Sequence, residues 1–501
     1  MDNIILKNKY YRVFFAGLLV ILVFPLLNIQ PWLSPPAWGK TVLFRILFSI
    51  LLYFLFYLIF SRKDGENLKP YFKTVLTDRF NPLFWPFWLL ISLTGLYILA
   101  TVFSLDPHYS FWGSPQRAGG SLNFILYILF SFFAFIIVKG KDWSRVWNFV
   151  FIVAGIESLI SIFQKAGTFS SILIPRTEQV IGTMGSSILL GLFLLIPFFM
   201  ALAFAIRAHG KKKIFYLACL FLYFAAIILT ASRAAIMGLF WGTLFFIFTY
   251  PSKTKKLKSA KISLIVLILA GIAFAFWLNA KPALVESFKA NSVLGIPFTR
   301  VWNTARPFLD VKNISFEKVA TDSRFSGWKV LYPAVKERPL FGFGPENVSI
   351  AFDKYYEPLL PGFRLHDWWD KAHNFALDMA VGAGVPALAV YLSFLGVLFW
   401  RLRKLKGALS QGIQSAFAAY LTADFFGFDA FSTYLVFFLG VGFAFSLIAK
   451  KDIVPVLSRR SYNLPLWKSG FSFVLFCLLL LFIWNAGLKP LKMNKELNMA
   501  D

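Results

Sequence analysis

Only four histidines occur in the 501 residues. One of them, His373, stands beside Asn374 where a long polar stretch gives way to a hydrophobic run. A neutral imidazole accepts a proton near pH 7, so a histidine at such a junction can serve as a base. A lone histidine there can equally cap a helix or satisfy a buried carbonyl. Three arginines also stand at the ends of apolar runs. Arg233 closes the tight hairpin Thr230-Ala231-Ser232-Arg233, and an arginine beside hydrocarbon is costly unless it snorkels or meets an anion. Arg117 belongs to Phe111-Trp112-Gly113-Ser114-Pro115-Gln116-Arg117-Ala118-Gly119-Gly120, and Arg176 precedes the small residues Ile181-Gly182-Thr183-Met184-Gly185-Ser186-Ser187. Taken singly, these two stretches read as well as an interfacial aromatic belt and a helix cap.

The elements that must position these residues are set by hydropathy. The chain is 58% hydrophobic, has 61 Phe and 16 Trp, and is only 15% charged; its mean hydropathy is +0.67. That composition belongs to an integral membrane protein. Apolar segments long enough to cross about 30 Å of hydrocarbon as helices fall near 12–30, 41–60, 84–103, 121–138, 146–164, 186–206, 214–230, 233–250, 262–280, 375–400, 411–428, 432–449 and 470–488. The expected fold is all-α, a polytopic transmembrane helical bundle of about 12–13 spans with one large folded extracytoplasmic loop. Its parts are an N-terminal block of about nine spans (1–280), the loop (281–372), a C-terminal block of about four spans (373–488) and a short tail (489–501).

The formal charge of +27 suggests nucleic acid, but the basic residues sort by loop. With the N-terminus cytoplasmic, the inner segments hold 29 Lys and Arg, and the short outer loops hold five: Lys40, Arg117, Lys165, Arg176 and Arg233. This positive-inside bias places the segment from Lys281 to Lys371 outside, leaves nucleic acid as no partner and allows some attraction to anionic membrane lipid. The first span follows a basic N-region yet is too long for a signal peptide, so it is expected to be retained. Cys219 and Cys477 fall inside predicted spans, which provides no disulfide or metal framework.

The outer stretch carries Trp302, Phe308, Trp328, Tyr332, Tyr355, Tyr356, Trp368 and Trp369, too many aromatics for a disordered linker. Asp322-Ser323 N-caps a predicted amphipathic helix that begins at Arg324 and sets Phe325, Trp328 and Leu331 on one face. Pro333 is expected to end or kink it. Pro339-Leu340-Phe341-Gly342-Phe343-Gly344 follows, and its glycines suit either a plain turn or a phosphate cradle.

Taken together these residues resemble the O-antigen ligase and polymerase superfamily of polytopic bacterial glycan transferases. His373-Asn374, nine residues and then Gly384 match the signature that follows the family's large outer loop; Ala387 departs from its last position, where a small residue serves helix packing. Leu229-Thr230-Ala231-Ser232-Arg233 is similar to the family's arginine hairpin. Arg324 with Trp328 and the Pro339 to Gly344 stretch are similar to its loop segment. Phe111 to Gly119 and Gly182-Thr183 also have counterparts, so the resemblance spans about residues 100 to 400.

The resemblance implies a glycan carried on polyprenyl (undecaprenyl) diphosphate, presented at the outer face of the bacterial inner (cytoplasmic) membrane. The glycan passes to a hydroxyl of a lipid core, a growing polysaccharide or a protein. Arg233 and Arg324 are the candidates for holding the diphosphate, with Arg117 and Arg176 beside them, because guanidinium forks neutralise phosphate without losing charge. His373 is the candidate base or orienting group for the acceptor, with Asn374 fixing its ring. Asp367 and Asp370 are alternative bases, orienters or an exposed acidic turn. Trp328 and Asp378, one turn into the tenth span, would support the substrate site, while Glu157 in the fifth span suits either a functional role or a hydrogen bond to a neighbouring helix. No metal and no cofactor is expected, and the family implies inversion at the anomeric carbon. Ligase and polymerase differ only in the acceptor. The alternative from another class is a lipid-linked oligosaccharide flippase or other transporter, which places its polar groups at mid-bilayer; a scaffold for envelope assembly is a third.

Overall fold

Apolar runs with no water to bond their amides close every backbone hydrogen bond internally, and in this chain they do so as helices. The computed structural model describes residues 9–29, 33, 35–61, 72–169, 179–249, 255–291, 295–309, 323–360, 368–449 and 466–500. In chain order the long helices are α1 (Lys9–Val23), α2 (Pro36–Ser61), α3 (Phe84–Val102), then the short α4 (Pro107–Trp112), α5 (Ser121–Ile137), α6 (Trp143–Ala166), α7 (Ser187–Arg207), α8 (Gly210–Leu229), α9 (Arg233–Phe248) and α10 (Lys255–Asn279). The polar stretch forms α11 (Pro282–Lys289), α12 (Gly295–Leu309), α13 (Ser323–Glu337) and α14 (Val348–Tyr355). After it come α15 (Phe375–Arg403), α16 (Ala408–Asp424), α17 (Phe431–Ala449), α18 (Leu466–Ile483) and α19 (Lys489–Ala500).

Each of the thirteen predicted spans falls on one of these helices. Among the described residues nine helices are long and apolar enough to cross a membrane, and three shorter apolar ones join them. The protein is therefore a multi-pass, all-α membrane protein. The hydrophobic window of the α10 span is only 6% buried and that of α18 17%, whereas α7 and α17 reach 83%, so α10 and α18 line the periphery and α7 and α17 the centre.

Lipid tails are as apolar as leucine, so the helices associate through packing and small residues rather than hydrophobic expulsion. Gly191 lies on Ala235, Gly238 on the Ala419 carbonyl and Ala423, Gly242 on Ala419 and Phe199, and Gly412 on Ala203. These contacts run α7 alongside α9 and antiparallel to α16, which brings Arg233 level with the C-terminal end of α16. A second seam is aromatic: Phe44, Phe48, Tyr127 and Phe130 interlock at ring distances of 5.1 to 5.8 Å between α2 and α5.

Two expectations are corrected. α13 does not end at Pro333 but runs on to Glu337, since proline removes only one ladder bond and Val330, Leu331 and Ala334 bury the helix against a core of its own. The span after His373 is not continuous: α15 breaks at Gly384, with φ 88° and ψ 164°. Pro386 denies the Gly382 carbonyl its helical donor. The freed carbonyls of Val381 and Gly382 accept instead from Phe343 N (2.8 Å) and Gly344 N (3.0 Å), and Val385 N donates to the Pro339 carbonyl (2.8 Å). The Pro339 to Gly344 stretch is thus a strip of backbone laid against a broken helix. The amides of Gly342, Phe343 and Gly344 are committed to the carbonyls of Arg338, Val381 and Gly382, which favours the turn over the phosphate cradle.

Candidate functional site

The turn that leads into α15 is held at almost every residue. Asn374 is the helix N-cap, its Oδ1 accepting from Leu377 N at 3.0 Å. The Ala372 amide donates to Asp378 Oδ1 (2.9 Å), and its carbonyl accepts from the Trp328 indole (2.9 Å). Between these anchors His373 takes a left-handed backbone, φ 49°, a conformation that a non-glycine residue keeps only where its surroundings over-determine it. Its half-buried ring meets Trp369 edge-on at 4.9 Å and Phe428 at 5.0 Å.

Charge locks the same turn. Arg117 grips Asp370 with both arms of its fork, Nε to Oδ2 at 2.7 Å and Nη2 to Oδ1 at 3.2 Å, and its guanidinium lies 4.1 Å over the Phe428 ring. Lys371 Nζ pairs with Glu346 and, at 3.4 Å, with Asp378; Glu346 also accepts from Ser114 N at 3.2 Å. Burial works to raise the Asp370 and Glu346 carboxyls, but Arg117 on the one and Lys371 with the Ser114 amide on the other overcome it, holding both below the usual carboxylate values. Burial likewise works against the Lys371 ammonium, and the facing carboxylates Asp378 and Glu346 outweigh it and raise its pKa. The network is a set of ions, each with a partner.

α13 forms the opposing wall. Gly327 lies against the Trp369 ring, and the Trp328 indole packs on Phe425 at 5.7 Å and Phe426 at 6.0 Å. Phe325 is 38% exposed, so only part of the face predicted from Phe325, Trp328 and Leu331 is buried. Arg324 is half-buried one turn before Trp328. Arg233, exposed at the first residue of α9, follows Ser232, whose hydroxyl caps that helix by accepting from Ala235 N (3.3 Å). Arg117, Trp328, Asp370, His373, Asn374 and Asp378 therefore form one network, and Arg324 and Arg233 lie at the same end of the bundle. Arg176 and Asp367 lie outside the described residues.

Behind the network is a cavity of about 50 Å³ lined by Glu346, Lys371, Asp378, Asp424 and Asp429 together with tyrosines of α3, α15 and α17. That is room for a few waters. Glu346, Lys371, Phe428 and the two aspartates were not singled out from sequence. A signal for the aspartates existed: acids at the end of an apolar run are expensive and so conspicuous. Glu346 carried none beyond its place in a turn.

Glu157 and Gly182-Thr183 form a separate staple. Glu157 accepts from Thr183 N (2.6 Å) and Thr183 Oγ1 (3.0 Å), while Lys40 Nζ donates to the Pro25 and Thr183 carbonyls, both at 2.6 Å. It pins the entry to α7.

Residues 218–392 match the family described as O-antigen ligase. No curated protein matches the chain. The matched stretch takes in Arg233, Arg324, the strapped turn and the break at Gly384, and over these residues the chain is similar to the O-antigen ligase family.

Proposed function

We propose that the protein transfers a preassembled glycan from polyprenyl diphosphate to an acceptor hydroxyl, of a lipid core, another glycan or a protein, at the outer face of a bacterial cytoplasmic membrane. The reading divides the chain into an N-terminal block (1–280), an outer chamber (281–372), a C-terminal block (373–488) and a tail (489–501). The observation that carries it is the strapped His373: a half-buried imidazole in an enforced conformation, inside the segment matching the O-antigen ligase family, with Arg233 and Arg324 at the same end of the bundle.

In this reaction the acceptor oxygen forms a bond to the anomeric carbon from the face opposite the diphosphate. The bond from that carbon to the diphosphate oxygen breaks, and the electron pair leaves with the diphosphate. Arg233 and Arg324 neutralise the charge growing on the leaving group, the step where preorganised cations lower the barrier most. Their permanent charge supplies this without a metal ion. His373 takes the acceptor's proton, and inversion follows from the single displacement. Trp328, Asp370, Asp378 and Asn374 hold the turn that aims the ring.

Replacing His373 with Ala tests the reading in membranes supplied with carrier-linked glycan. Loss of a positioned base lowers transfer by about a hundredfold or more. A variant that still transfers at the wild-type rate would refute the role of His373.

A further inference from the structure

Asp424 and Asp429 bracket the turn Phe425-Phe426-Gly427-Phe428 that joins α16 to α17. Each phenylalanine of that turn touches the site: Phe425 and Phe426 pack on Trp328, and Phe428 lies between the Arg117 guanidinium and the His373 ring. Behind the turn the two carboxyls converge on the cavity, within side-chain hydrogen-bonding reach of each other. Asp424 is 2% exposed, and its Oδ1 has no donor. Asp429 accepts from the Tyr420 hydroxyl.

The groups facing the pair are Tyr97 of α3, Tyr420 of α16, Tyr434 of α17, Asp378 and Tyr391 of α15, and Glu346 and Lys371 from the loops. Lys371 is the one cation among these, and it is bonded to Glu346 and Asp378. Two carboxylates in a buried site with no cation of their own do not both ionise. A proton between them turns the repulsion into a strong O–H···O⁻ bond and gives Asp424 the partner it lacks.

We propose that Asp424 and Asp429 share one proton, and that this bond is the clip that closes the aromatic turn against His373 and Arg117. Both are positioning residues. Losing the proton leaves like charges facing each other at the two ends of the turn, which spreads it and withdraws Phe428 from the imidazole. Transfer then falls on the alkaline side with the loss of one proton. The activity part of this inference rests on the transfer reading above; the shared proton does not.

Two measurements test it. Infrared spectra of the purified full-length protein in H₂O and D₂O at neutral pH should show a protonated-carboxyl carbonyl band that shifts on deuteration. The band should vanish in both Asp424→Asn and Asp429→Asn, because the asparagine amide donates to the remaining carboxylate and no proton is needed. A wild-type protein without the band, or a band that persists in both variants, overturns the shared proton whatever the reaction is. In transfer assays the alkaline limb of Asp429→Asn should move up by about one pH unit or more, its amide donor being untitratable. Asp429→Ala, with no donor, should lose about tenfold or more in rate across the pH range. An alkaline limb that stays in place in Asp429→Asn refutes the clip.

Discussion

Lys371 serves two carboxylates, the buried Glu346 and the half-buried Asp378, with one ammonium, and this makes it the residue whose removal the turn tolerates least. Lys371→Met leaves the buried Glu346 and the half-buried Asp378 without a cation, a loss of about 3 kcal/mol or more. Thermal unfolding in detergent should register it, with part of the loss recovered in Lys371→Met/Glu346→Gln. The pH dependence follows from the directions of the shifts. Asp370 and Glu346 are depressed, so their contributions are present above the ordinary values of 3.8 and 4.5 and are lost as pH falls through the lower folded values. Lys371 is raised, so its contribution is present below the ordinary 10.5 and is lost only as pH climbs past that value. Across the neutral range this clamp is constant, so unfolding temperatures of Arg117→Gln and wild type should differ by the same amount at each neutral pH; a gap that varies there contradicts the assignment. His373, Asn374, Trp328 and Arg117 were legible in sequence because motif spacing marks them. Lys371 and Glu346 were not, because each is an ordinary loop residue until folding sets it against a partner 25 positions away, or 232 away for Glu346 and Ser114.

Among the helices, α15 shows how hydropathy and backbone chemistry divide the information. Run length alone located the span, since thickness and rise per residue decide it. The break within it was hidden. Pro197 and Pro333 sit inside α7 and α13, which run on past them, whereas Pro386 accompanies the non-helical Gly384, so proline by itself does not tell a reader where a helix opens. What differs at Pro386 is the Pro339 to Gly344 strip, which supplies donors for the freed carbonyls. A Cβ at Gly384 would meet the Leu340 carbonyl at a φ that L side chains avoid. Gly384→Ala is therefore expected to lose about 2 kcal/mol or more of stability and to disturb the strip that leads into Glu346. Pro386→Ala, by contrast, adds one N–H to a break already satisfied by its neighbours and should leave the unfolding temperature near that of wild type. Equal effects of the two substitutions would show that the strip is not what holds the break open.

For the whole molecule the question is which end faces outward. The network around His373 occupies the end where α3, α16 and α13 meet the start of α15, while the basic runs at Arg207, Lys211 to Lys213 and Arg401 to Lys406 lie at the other, between α7 and α8 and between α15 and α16. From the positive-inside bias the second end is expected in the cytoplasm, and the proposed transfer from an exported carrier-linked glycan requires the first end outside. The two ends can be told apart chemically. Cys219 and Cys477 are unpaired thiols, so both are first replaced by Ser; single cysteines are then placed at Asp353 and Lys406, each exposed in the structure. In spheroplasts a membrane-impermeant maleimide should label Asp353→Cys directly and Lys406→Cys only after permeabilisation. The reverse pattern would put the His373 end in the cytoplasm, where the network would still fold but would face the wrong pool of glycan, and the transfer reading would fall with it.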